Sequence, residues 1–150
     1  MTAKLAFIGG VALFAFAGTA GAEPYKDWSA QKGAWEITTK HVDSNHIDDY
    51  LTGIKGTWVV GEEIAKKHGV IDFYSVNVRL DSDSKGANVM FVQHYTSLAN
   101  LEPDKARDQA IDQEVRAILP KDKDQAAIAG YDKYRTHEDD SFWQQIDFSK

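Results

Sequence analysis

The chain has 150 residues, with 17 Lys/Arg against 23 Asp/Glu for a formal net charge of −6, and it contains no cysteine. Disulfides, iron–sulfur clusters, thiolate zinc and cysteine nucleophiles are therefore excluded. The acidic balance, with no Lys/Arg cluster interleaved with aromatics, argues against nucleic acid as a partner.

At the N-terminus Lys4 precedes the apolar run "LAFIGGVALFAFA" and the small residues "AGTAGA", which end in an Ala20-Gly21-Ala22 cleavage pattern. This is the layout of a secretory signal peptide over residues 1–22. The apolar run is about 13 residues, short of the roughly 20 that span a bilayer. Cleavage leaves residues 23–150 as a single domain, with 16 Lys/Arg against 23 Asp/Glu. A chain of that length buries a core without disulfides. The expected location is periplasmic or secreted, with no integral membrane segment after cleavage.

A polar leader, "EPYKDWSAQKG", is followed by a first strand over about Ala34 to Val42, in which Trp35, Ile37, Thr39 and His41 share a face. Apolar residues Ile47, Tyr50, Leu51, Ile54, Trp58 and Ala65 then recur at helical spacing, predicting one helix from about Asn45 to His68 that "KKHG" closes. Gly53, Gly56 and Gly61 fall inside it, which points to a close contact or a local irregularity. "VIDFYSVNVRL" and "ANVMFVQHY" read as two strands joined at "DSDSKG". After these come a short helical piece at "TSLANLEP", a helix begun by Pro103, another at "DKDQAAIAGYDKY" and a last short strand in "SFWQQIDF". "THEDD", residues 136–140, reads as a solvated connection before that strand.

The order is that of a ferredoxin-like α+β unit, βαββαβ, with extra helix between strands three and four. Its second and third strands are apolar on both sides: Val89, Phe91 and Tyr95 face one way, Met90 and Val92 the other. Helices cover one face of such a sheet, so something must also cover the second.

The unit "WEITTKHV…IDDYLTGIKGTW", with "KKHGVIDFYSV" and a strand ending "FVQHYTSLANL", resembles the dimeric α/β-barrel superfamily, which holds antibiotic-biosynthesis-monooxygenase-like and NIPSNAP-like domains. The resemblance covers roughly residues 34–101. It implies a homodimer packed sheet to sheet, and it admits cofactor-free oxygenase or isomerase chemistry without naming catalytic residues in this chain.

"TTKHVDSNHIDDYL", residues 38–51, holds two histidines and three aspartates. It straddles the junction of a strand and a helix, where short polar side chains cap free N–H groups and carboxylates suit the positive end of the helix. No metal site is expected there. His94 interrupts an apolar strand beside Met90 and Val92, with Gln93 opposite. It is open to two readings. One makes it the acid, base or ligand-orienting donor of a pocket, assisted by His41 and Tyr95. The other makes it a hydrogen-bonded interface histidine.

Two classes of function follow. The first is an exported small-molecule-binding or enzymatic barrel with no cofactor. Its pocket between sheet and helices is roofed by Ile54, Trp58 and the inserted helices, reaches Phe91 and Gln93, and holds a small apolar or aromatic ligand. The second is a periplasmic dimeric module in which the same residues only pack.

Overall fold

A computed structural model describes residues 23–81 and 85–149. The leader expected over residues 1–22 lies outside the described residues, as does the middle of the turn expected at "DSDSKG". Among the described residues no helix is long and apolar enough to cross a membrane.

The elements in chain order are β1 (Trp28–Ala30), β2 (Ala34–Val42), α1 (Ile47–Lys55), α2 (Trp58–Lys67), β3 (Ile71–Val78), β4 (Val89–Tyr95), α3 (Lys105–Ile118), α4 (Lys121–Asp132), β5 (Arg135–Trp143) and β6 (Ile146–Phe148). Four strands form an antiparallel sheet in the order β3-β4-β2-β5. With α1–α2 linking β2 to β3 and α3–α4 linking β4 to β5, the fold is ferredoxin-like α+β. The leader adds a detail beyond this frame: β1 pairs antiparallel with β6, joining Trp28 to Phe148.

A single helix was expected from Asn45 to His68, and the structure breaks it between Lys55 and Trp58. Thr57 carries the break. Its buried hydroxyl donates to the Gly53 carbonyl oxygen at 3.1 Å and meets the Tyr131 hydroxyl at 2.9 Å. Gly53 is the close approach: a Cβ there would lie 2.4 Å from Cδ1 of Tyr131. The break thus docks α1 against α4 while α2 packs against α3. Tyr50, Ile54, Phe91 and Tyr131 complete the core with Val42 and Val89, and the Tyr50 and Tyr131 rings meet edge to face at 5.4 Å.

The "THEDD" segment is not a loop. It lies within β5, an edge strand paired only with β2. Backbone pairing with β2 satisfies its polar groups, and charges suit an edge because they discourage further pairing. A register shift at Thr39/Lys40 skips Glu138, so Asp139 faces Thr39 and His137 faces Lys40. Arg135 and Asp140 are five positions apart, and strict alternation would send them to opposite faces. The bulge turns both toward the helices.

Candidate functional site

The helix-covered face of β2 is polar, carrying Glu36, Thr38 and Lys40, while Trp35 and Ile37 point to the other face. The helices therefore do not close onto β2 as they do onto Phe91 of β4. A cavity of about 520 Å³ remains between sheet and helices. From α2 it is lined by Trp58, Gly61 and Glu62, which share a helix face at i, i+3 and i+4. The Trp58 ring packs edge-on against Phe91 at 4.8 Å and against Tyr74 at 5.6 Å. Ile54, Val115 and Ile128 supply further apolar wall.

One end of the cavity is acidic. The Tyr95 hydroxyl donates to Oε2 of Glu36 at 2.9 Å, and the Gln93 amide nitrogen donates both to that same oxygen and, at 2.9 Å, to the Tyr95 hydroxyl oxygen. Gln93 Oε1 is buried and has no hydrogen-bond partner among the described residues. Burial and the hydrogen bond to Glu36 push the Tyr95 phenol well above its usual range, so it acts as a fixed donor. Glu62 stands across from this group. Burial, reinforced by the charge of Glu36, raises its carboxyl to about 7, so it exchanges a proton near neutrality.

The other end is cationic. Lys40 Nζ bonds Nδ1 of His137, and Arg135 pairs with Asp132 at 2.8 Å while its guanidinium lies over the Tyr131 ring. Burial, with Arg135 nearby, lowers the Lys40 ammonium below its ordinary value. Between the two ends the Thr38 hydroxyl donates to Asp140 at 2.6 Å.

Of the residues expected at a ligand site, Trp58, Ile54, Phe91 and Gln93 all line this cavity, and Tyr95 adjoins it through Glu36. His94 and His41 do not line it. Both lie on the open face of the sheet, His94 with Nδ1 2.7 Å from Asp72 and its ring against Trp35, His41 with Nδ1 2.8 Å from the Gly86 carbonyl oxygen. Nor do they approach each other. Their strands are neighbours but antiparallel: His94 pairs with Trp35, six residues from His41, or about 20 Å along the strand. The polarity expected from the histidines comes instead from Glu36 and Glu62.

Reading the sequence passed over Glu36, Thr38, Lys40, Glu62, Asp140 and Arg135. A signal for the first three exists in the alternation of β2, whose apolar face is the one away from the helices. Glu62 shows only as a polar residue one turn after Trp58. The bulge that brings Arg135 and Asp140 together leaves no local mark. In "TTKHVDSNHIDDYL", Asp43 accepts from Asn45 N–H at 3.0 Å, Asp48 and Asp49 occupy the first turn of α1, and His46 stacks on Tyr134 at 3.7 Å.

No protein-family model matches the chain, and no curated protein sequence matches it. Its structure is similar to that of a dimeric ferredoxin-like protein from an uncultured marine organism, at 7% identity and a TM-score of 0.42, over 80% of this chain and 90% of that one. It is also similar to a NIPSNAP family protein of unknown function from Agrobacterium tumefaciens, at 14% identity and a TM-score of 0.42, over 79% and 90% of the two chains. A third similar structure is a dimeric protein of unknown function with a ferredoxin-like fold from Bacteroides fragilis, at 14% identity and a TM-score of 0.40, over 80% and 99%.

Proposed function

We propose that the protein is an exported small-molecule-binding domain whose ligand occupies the cavity between sheet and helices. The observation that carries this reading is the polar lining of a space that the fold otherwise covers with apolar residues: Glu36, Thr38, Lys40 and Glu62 line about 520 Å³ together with Trp58, Phe91 and Ile54. Withdrawing carboxylates from water costs stability, and a core without them would fold more easily. The volume lies within the roughly 300–1,000 Å³ of small-molecule sites, and an apolar wall with a few convergent polar groups is their usual composition. Export is supported by the Lys4-led apolar run and its Ala20-Gly21-Ala22 pattern.

The working form in this reading is a homodimer joined through the open sheet face. That face carries Trp35, Phe73, Met90, Val92 and Trp143, of which Phe73 is 43% and Trp143 60% exposed. A second copy of the same face would withdraw them from water.

Gly61 offers the test of the cavity. A Cβ there meets nothing within 4 Å, and Gly61 lines the cavity, so a larger side chain at this position occupies part of the space. In a thermal-shift screen of small aromatic and aliphatic compounds, the wild type is expected to give hits that Gly61→Leu loses. Hits that persist in the variant, or a screen without hits, would contradict the reading.

A further inference from the structure

The charges around the cavity do not balance. Its lining holds four acids, Glu36, Glu62, Asp124 and Asp140, against two cations, Lys40 and Arg135. Most of these already have partners. Asp124 pairs with Arg116 at 2.8 Å, Asp140 accepts from Thr38, Lys40 meets His137 and Arg135 holds Asp132. Among the described residues, Glu36 and Glu62 have no cationic partner. Beside them Gln93 turns its nitrogen to Glu36 and Tyr95, and its buried Oε1 is left without a donor. Two carboxyl groups without a cationic partner thus stand at one end of a cavity whose adjoining wall is the Trp58–Phe91 pair.

We propose that this end of the cavity binds the protonated amino group of a small organic amine, held by Glu36 and Glu62, with its apolar or aromatic body along Trp58 and Phe91. An ammonium group brings donors and a positive charge, which matches carboxyl acceptors and an excess of negative charge. The π-faces of nearby aromatic rings add to the attraction for a cation. A carboxylate ligand would meet repulsion here, and an alcohol would leave the charge unbalanced. The inference rests on the cavity being a ligand site and adds the class of ligand.

Amine binding is coupled to the proton of Glu62. Glu36 from β2 is the charged group that acts on it, and the other polar groups of the lining are Lys40 from β2, Gln93 from β4, Asp140 and Arg135 from β5 and Asp124 from α4. With the site empty, burial and Glu36 favour the protonated Glu62 carboxyl up to about pH 7. A bound ammonium favours the ionised form, so below that pH binding expels a proton.

Isothermal titration of the full chain with 2-phenylethylamine, 2-phenylethanol and phenylacetate tests this. At pH 8 the amine is expected to bind at least ~10-fold more tightly than the alcohol, a preference of about 1.4 kcal/mol. At pH 6 its binding should release a proton, detected as heats that differ between buffers of different ionisation enthalpy. Glu62→Gln should remove the proton release and most of the preference, and Glu36→Gln most of the preference. If the alcohol or phenylacetate binds as well as the amine, the inference is overturned while the cavity remains a ligand site. It is also overturned if the preference survives both substitutions. If none of the three binds, the inference falls, and the Gly61→Leu screen decides the cavity reading separately.

Discussion

Replacing Glu62 with Gln keeps the shape of the side chain and removes its titration. The carboxyl rises from its usual 4.5 to about 7 on folding, chiefly through burial and secondarily through Glu36. Between those values the folded chain therefore holds more protons than the unfolded chain, so stability falls as pH rises through the window and stays lowered above it. A window of about 2.5 pH units, at about 1.4 kcal/mol per unit, corresponds to roughly 3 kcal/mol. Glu62→Gln should match the wild type near pH 4.5 and exceed it by about 3 kcal/mol at pH 8. Urea unfolding of both proteins at half-unit intervals from pH 4.5 to 8 measures the difference, and other groups cancel because both proteins carry them. A difference that does not change with pH, or a variant less stable than the wild type at pH 8, would refute the buried, charge-opposed setting of Glu62.

Two glycines in the split helix should respond with opposite signs. Gly53→Ala places a Cβ against the Tyr131 ring and should cost about 1–3 kcal/mol in urea unfolding, despite the better helix propensity of alanine. Gly61→Ala meets open space and should gain about 1 kcal/mol in the same assay. On the open sheet face, Met90→Lys should raise the dimer dissociation constant by at least ~100-fold in analytical ultracentrifugation, because an unpaired charge buried in an interface costs about 3 kcal/mol or more. A variant that stays dimeric would place the interface elsewhere. His94→Ala, on that same face, should leave ligand-induced thermal shifts unchanged, whereas loss of those shifts would return the histidine to the site.

The fold was legible where periodicity and packing agree. β2, β3 and β4 stand out as strand-forming runs, the last two apolar on both sides, and Trp58, Ile54 and Phe91 announce a core-facing surface whichever way the helix is divided. The break at Thr57 was not legible, because it depends on a hydroxyl bond to Tyr131, 74 residues away. β5 was hidden for a similar reason: "THEDD" has no strand propensity of its own and is held by its pairing with β2. In the site, the histidines drew the reading because they interrupt apolar strands, yet strand direction sets His41 and His94 at opposite ends of the sheet. Glu62 becomes chemically distinctive only when the sheet brings Glu36 opposite it. That is a property of the assembled fold and not of either segment.

Occupation of the cavity by a ligand is read residue by residue in amide chemical-shift mapping of the isotopically labelled protein. The probe is the compound giving the largest thermal shift. A ligand in the cavity should give a cluster of saturable changes at Trp58, Gly61, Glu62, Phe91 and Gln93, with the strand residues of the open face unmoved apart from those that share a backbone with the lining. Changes confined to the open face, around Phe73, Met90 and Trp143, would contradict it and assign the ligand to the other side of the sheet.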